Sequence, residues 1–441
     1  MDLERELNWV AAARRPEVFA DFANDLTDKI IVEACLAVGY KDQRKRKLPV
    51  ESLIWLVIGM AIFRDRSISN VVGHLHLWRG KEQPTEPAIV QRRQAIGAQA
   101  LEMIFNFTSE EWALDSAEKH RWRGLALFGI DGVTTRVADS ETNEAYFGRP
   151  SSRPDKHQSG YPQLRMIGLM ALRSHLLLGA HFGPYATSEQ ELADAMWPLL
   201  PERSLVLFDK GFTDFKLWWY LTHRAEKTDF VTRAKINLKY RVIRSLGRWD
   251  DLIEVTFSPE SRKEDPSLPE TMILRAIRYQ KKGFQNQLLV TSLLDPEQYP
   301  AKELRELYHE RWEIELGYDE IKTHTLEQRE SLRSLSPELV KQEMWGVLIA
   351  YNLVRKQMEK FADKVGCKPN RVSYRSALLE VRNVCIAASQ GVAVRKLIDQ
   401  MNANIEMVLP ERRTRSYERH VKLKTKRYRR NPGRSRGKIP N

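Results

Sequence analysis

At 441 residues the chain is long enough for two or three domains with their own cores, and 42% hydrophobic against 29% charged residues is the balance of a globular protein. Its 22 Gly and 20 Pro exclude a collagen-like or generally disordered chain, and three scattered cysteines (Cys35, Cys367, Cys385) exclude a disulfide framework or a zinc knuckle. Lys and Arg number 71 against 58 Asp and Glu, a net +13 that points to an acidic partner.

The opening residues, MDLERELNWV, lack the basic and apolar regions of a signal peptide. The best apolar run, Leu53–Phe63, has eleven residues, where a membrane span needs about 20. A cytoplasmic chain with no membrane partner is expected. Residues 1–118 read as helices, among them Pro16–Leu26, Leu53–Arg64, Ser69–Leu77 and a long Glu86–Phe107 with Thr85 as N-cap and Pro87 in its first turn. The last carries Gln91, Arg92, Arg93 and Gln94, and KDQRKRK at Lys41–Lys47 is a basic patch. Both suit a helical DNA-binding domain, and equally a helical domain with a solvated basic face.

Near Trp122 the pattern turns extended. Gly124–Val137, Gln163–Leu172 and Leu176–Phe182 read as three strands, followed by a helix at Ser188–Leu200 and a buried strand at Ser204–Phe208. A helix at Asp214–Ala225 and a strand at Phe230–Lys235 complete the order βββαβαβ. That order predicts an α/β fold with an RNase H-like mixed sheet, three antiparallel strands followed by parallel crossovers. From about 237 to 295, strands at Tyr240–Leu246, Leu252–Phe257, Thr271–Arg278 and Gln287–Leu293, with Pro and Gly in their turns, predict an all-β insertion. Helices return from Ala301 and fill Pro337–Lys364, Tyr374–Ser389 and Val394–Leu409. The expected division is a helical N-terminal domain (1–118), the core (119–330), a helical C-terminal region (331–410) and a basic, disordered tail (411–441). The tail has thirteen Lys and Arg against two Glu, so nearly all the net charge sits there. Such a polycation binds phosphates by counterion release, on nucleic acid or on acidic lipid; nucleic acid is the favoured partner.

Two acids follow apolar strands: Asp131 after LALFGI and Asp209 after LVLF. If the strands are neighbours, two carboxylates meet at one sheet edge, which suits Mg²⁺. Singly, such an Asp is more often a turn or cap residue. In Leu307–His324, LYHERWEIELGYDEIKTH, the residues Tyr308, Arg311, Glu315 and Lys322 stand at offsets 0, 3, 7 and 14, one stripe of a continuous helix. A carboxylate there can bind metal while the flanking cations bind phosphate, although a salt-bridged solvated face shows the same pattern. Asp319 lies on nearly the same face, and spacing alone does not choose between it and Glu315.

Tyr308-x2-Arg311-x3-Glu315-x6-Lys322 resembles the YREK signature of IS4-type insertion-sequence transposases. Ile130–Gly148, IDGVTTRVADSETNEAYFG, is similar to that family's first block, and Phe208–Phe212, FDKGF, to its second. The 106 residues from Asp209 to Glu315 leave room for the family's β insertion. The resemblance implies a DDE site of Asp131, Asp209 and Glu315 holding two Mg²⁺ ions, with Mn²⁺ as substitute, and it favours Glu315 over Asp319. It implies DNA-phosphate contacts from Tyr308, Arg311 and Lys322, and a helical N-terminal domain that binds the element's ends. The implied activity is metal-dependent cleavage at terminal inverted repeats and strand transfer into target DNA by a cut-and-paste route, in a homodimeric synapse near the nucleoid. Family members that form hairpin ends stack a flipped base on a Trp in the insertion. Here Asn286–Pro296 has no Trp, and Trp249, earlier in the insertion, is expected in the core. The alternatives are a nuclease of the same fold that never joins ends, and a non-catalytic DNA-binding protein.

Overall fold

A computed structural model describes residues 25–40, 48–75, 77–78, 83–150, 160–224, 226–235, 237–280, 286–327, 331–389 and 407–410. Pro16–Leu26 (all but its last two residues), Lys41–Lys47, most of Val394–Leu409 and the 411–441 tail lie outside them.

Among the described residues five helices come first: α1 (Asp28–Ala37), α2 (Val50–Ile62), α3 (Ile68–Leu75), α4 (Glu86–Ile96) and α5 (Gln99–Lys119). Helix α2 holds the longest apolar run and is buried on all sides, as a helix apolar all round must be. Among the described residues no helix is long and apolar enough to cross a membrane. The expected single helix Glu86–Phe107 is two. Gly97 ends α4 with φ +70°, and the next N–H, of Ala98, donates to Glu338 Oε1 at 2.7 Å. Thr85 has the extended backbone of an N-cap, but its side chain makes no capping bond. Arg93 does not face outward as the sequence suggested: its Nε donates to Gln342 Oε1 at 2.8 Å in the interior. Of that polar run, Gln91 and Gln94 are exposed.

The remaining elements are β1 (Ala126–Arg136), α6 (Glu141–Phe147), β2 (Gln163–Ala171), β3 (Leu177–Pro184), α7 (Glu189–Ala193), β4 (Ser204–Phe208), α8 (Phe215–His223), β5 (Thr228–Arg233), β6 (Arg241–Gly247), β7 (Asp250–Thr256), α9 (Pro259–Glu264), β8 (Thr271–Tyr279), β9 (Gln287–Thr291), α10 (Ala301–Tyr308), α11 (Trp312–Asp319), α12 (Pro337–Val365) and α13 (Tyr374–Ser389). One nine-stranded sheet runs β3-β2-β1-β4-β5-β9-β8-β7-β6. Its first part is the RNase H-like order: β3, β2 and β1 antiparallel, then β4 and β5 parallel to β1. Strand β4, SLVLF, is buried at every residue, as a central parallel strand covered on both faces should be.

The insertion is not a separate sheet. Strand β9 pairs antiparallel with β5, and β8, β7 and β6 extend the same sheet outward. It also contains a short helix, α9, that an all-β reading misses; Ser258 caps it by accepting the Ser261 N–H at 3.1 Å, and Pro259 opens it.

Helix α12 is the structural spine. Asn352 bonds both backbone groups of Leu177 at the start of β3, at 3.0 and 2.9 Å. Glu343 pairs with Arg64 in the interior, and any side chain at Gly346 would come within 2.9 Å of the Val57 carbonyl in α2. The N-terminal helices are thus packed directly on the helix that supports the sheet.

Candidate active site

Parallel pairing places the first two acids side by side. Gly129 of β1 is in register with Leu207 of β4, and Asp131 and Asp209 each lie two residues further along. Buried apolar residues precede both, and the chain emerges from the core at the acids. Asp131 Oδ1 accepts the Gly132 N–H at 2.8 Å, and Asp209 Oδ1 accepts the Gly211 N–H at 2.7 Å, which opens the short turn Lys210–Phe212. Phe208 pairs with Thr232 across β4 and β5, so Arg233 stands beside Asp209 at the same sheet edge.

The segment carrying the signature is not one continuous helix. Helix α10 passes through a 3₁₀ turn at His309–Arg311 into α11, which ends in a π-helical turn at Glu320–Thr325. The stripe drawn at constant α-helical pitch therefore breaks. Tyr308 turns inward and donates its hydroxyl to the Phe208 carbonyl at 3.2 Å; burial pushes its pKa up to about 12. Arg311 projects to the acids: Nη2 donates to Glu315 Oε1 at 2.6 Å, and Nη1 is 3.5 Å from Asp131 Oδ2. Burial opposes its charge, but the Glu315 bond and the neighbouring charges raise its pKa overall. Lys322 lies in the π turn, where burial lowers its pKa and Asp319 partly offsets this. Asp319 itself accepts from Thr323 at 2.8 Å. The structure thus gathers Asp131, Glu315 and Arg311, sets Asp209 beside Asp131, buries Tyr308 beneath Asp209, and leaves Lys322 with Asp319.

Asp131 senses Arg311 and the other two acids. Burial drives its pKa up to about 6; the Gly132 N–H and Arg311 act against this, and the negative charges of Asp209 and Glu315 reinforce it. Among the described residues no three His, Cys, Asp or Glu side chains are close enough together to hold an ion, and the guanidinium of Arg311 is the cation set between Asp131 and Glu315. The donors are nonetheless all carboxylate oxygens, the ligands of Mg²⁺ or Mn²⁺, and the excess of negative charge around Asp131 is what a divalent cation relieves.

Tyr318 and Arg233 were missed in the sequence. Tyr318 donates its hydroxyl to the Asp131 carbonyl at 2.6 Å and lies over Gly168, where a Cβ would come within 2.7 Å of that hydroxyl. Neither Tyr318 nor Arg233 stands in a motif, and only the register and the helix packing bring them to the acids. A cleft of about 1280 Å³ opens beside Asp209 toward the insertion, lined by Lys210, Arg233, Lys235, Arg278, Tyr279 and Trp249. Trp249 is 44% exposed, at a turn residue with φ +68°, and Arg248 lies over its ring at 5.0 Å. The expectation that it belongs to the core is wrong: the β6–β7 turn swings it out.

A sheet edge with adjacent acids, a cation between them and a basic cleft alongside defines an RNase H-like enzyme acting on a phosphodiester. Residues 123–353 match the transposase DDE domain family, and residues 16–106 match the N-terminal domain of the insertion element 4 transposase. The chain is 36% identical, over 92% of its length and 92% of the relative's, to the transposase InsG for insertion sequence element IS4 of Escherichia coli (strain K12). It is 29% identical to the putative transposase InsZ of the same organism, over 58% of this chain and 89% of that one. Among solved structures, a piggyBac transposase synaptic complex with hairpin DNA aligns over 91% of this chain and 87% of that one, with a TM-score of 0.44 and 13% identity, too loose a likeness to carry an argument. The chain belongs to the IS4 family of DDE transposases. It is an insertion-sequence transposase, a DNA-cleaving and strand-transferring enzyme whose domain uses a divalent metal, generally Mg²⁺. Nothing favours the non-transposing alternatives.

Proposed function

We propose that Asp131, Asp209 and Glu315 are the three carboxylates of this transposase, and that they hold two divalent ions, Mg²⁺ or in its place Mn²⁺. The observation that carries this reading is the electrostatics of Asp131, whose carboxylate feels the charge of both other acids while Arg311 is shared with Glu315. The bound metal supplies charge neutralisation at the attacking and leaving oxygens of an in-line phosphoryl transfer. The chain's own residues align the DNA. Arg311 and Lys322 hold phosphates near the scissile bond, and Arg233 and Lys210 extend that basic surface into the cleft. Tyr308, which turns inward, supports the Asp209 strand end through its bond to the Phe208 carbonyl. No protein nucleophile is needed: water opens the element's end, and the resulting 3′-OH attacks target DNA.

The N-terminal domain (1–118) recognises the element's ends, the core with its insertion (119–330) cleaves, and the 331–410 region supports the core. The 411–441 tail, by its charge, adds sequence-independent affinity for DNA. Two copies act together in a synapse, in the cytoplasm at the nucleoid.

The test uses a linear DNA carrying both flanks of the protein's own gene, incubated with Mg²⁺ and resolved on a denaturing gel beside the Asp131→Ala protein. Discrete cuts at inverted repeats, lost in the variant while DNA binding persists, are expected. Equal cutting by Asp131→Ala would overturn the assignment.

A further inference from the structure

Behind the acids lies a second charged cluster. Glu313 and Glu320 stand seven residues apart on the segment that carries Glu315, on its inward side, and both reach one imidazole. His175, 2% exposed, occupies the β2–β3 turn in a left-handed conformation (φ 62°), anchored by its N–H to the Ala171 carbonyl at 2.8 Å. Its Nε2 is 2.8 Å from Glu313 Oε2, and its Nδ1 is 2.5 Å from Arg355 Nη2 on α12 and 3.4 Å from Glu320 Oε2. Arg355 can only donate, so Nδ1 accepts and the proton sits on Nε2, directed at Glu313. Arg355 also pairs with Glu320, Tyr351 donates to Glu320 at 2.9 Å, and Asn370 donates to Glu313 at 3.3 Å. The imidazole therefore ties a sheet turn to the Glu315 segment directly at Glu313 and, by way of Arg355, at Glu320, one on each side of Glu315.

We infer that His175 is a positioning residue of the carboxylate site. By holding Glu313 directly and Glu320 through Arg355 it sets the rotation of α11, and hence the direction in which Glu315 projects toward Asp131. It touches neither DNA nor metal. Three carboxylates that share ions need fixed separations, and partners behind metal ligands are worth about ten- to a hundredfold in affinity or rate. This inference rests on Glu315 being the third carboxylate.

The experiment compares full-length wild type with His175→Ala, His175→Gln, Glu313→Gln and Glu315→Gln. Four quantities are read: single-turnover cleavage of an end duplex, the dissociation constant for that duplex, the Mn²⁺ affinity of the DNA-free protein by electron paramagnetic resonance, and thermal unfolding. In both His175 variants, cleavage and Mn²⁺ affinity are expected to fall about ten- to a hundredfold, with DNA affinity kept within about twofold. Glu313→Gln, which still accepts the Nε2 proton, is expected to retain most of the rate. If His175→Ala fails to fold, His175→Gln, a flexible chain without the rigid ring that fixes Glu313 and Arg355 together, decides. Wild-type cleavage and Mn²⁺ affinity in the His175 variants, or losses that track DNA binding and unfolding temperature, would overturn the inference. A fully active Glu315→Gln would instead reject the third carboxylate on which it rests.

Discussion

The two faces of the Glu315 segment carry the same chemistry and resolve it in opposite ways. In front, burial pushes Asp131 up to about 6; the Gly132 N–H and Arg311 do not undo this, and the charges of Asp209 and Glu315 add to it. Behind, burial alone would raise Glu320, yet the Arg355 guanidinium overcomes it and holds the carboxyl down at about 2. The difference separates a receptive site from a structural one. Carboxylates with too little positive charge around them stabilise an incoming cation, whereas carboxylates that are already compensated serve to hold the fold.

The largest effect is expected from breaking the front cluster. Alanine at Asp131, Asp209 or Glu315 is expected to lower cleavage by roughly a thousandfold or more with DNA binding retained, measured on end-labelled duplexes with and without Mg²⁺. Breaking the rear cluster at its guanidinium is expected to cost stability as well. Arg355→Met leaves the largely buried Glu320 without its guanidinium and His175 without its donor, and is expected to destabilise by about 3–5 kcal/mol in urea unfolding.

The two clusters also differ in the sign of their pH dependence. Asp131 has a folded pKa of about 6, above its ordinary 3.8, so the ion-free fold binds the extra proton and loses stability as pH rises through that window. Asp131→Asn is therefore expected to stabilise the ion-free protein by about 2 kcal/mol at pH 7.5 and by nothing near pH 3.5, read from urea midpoints. Glu320 is the reverse. Its folded pKa of about 2 lies below the ordinary 4.5, so its stabilisation is complete above that value and is lost as pH falls toward 2. In Glu320→Gln this part of the acid-unfolding slope is expected to disappear. The smallest effect concerns Arg311, which belongs to the front cluster and is proposed to hold a DNA phosphate. Arg311→Ala is expected to reduce the slope of log affinity against log salt by about one, checked by filter binding over a salt series.

The elements around the acids were legible because their signals are local. An apolar run that ends in Asp, as at Phe128–Asp131 and Leu205–Asp209, marks a strand leaving the core, and all nine strands fall close to their expected ranges. The long helix at Glu86–Phe107 was misjudged because a single Gly97 with positive φ breaks it, and helical periodicity runs through such a residue unchanged. Arg93 was placed outside because its partner, Gln342, is 249 residues away. Trp249 was placed inside because aromatic residues usually are, whereas the β6–β7 turn carries it into the cleft.

By itself the sequence determined the strand order, the acids at the ends of strands, and a signature segment whose spacing resembles one family, since each depends on neighbours within a few turns of chain. Only the tertiary structure decided which side of that segment faces the acids, that its helix changes pitch at Arg311 and again at Glu320, and that His175 and Arg355 back it. The His175–Glu313 contact joins residues 138 positions apart, and Arg355 reaches Glu320 from 35 positions away on another helix. No local pattern encodes them, because they exist only once the sheet and α12 have packed together.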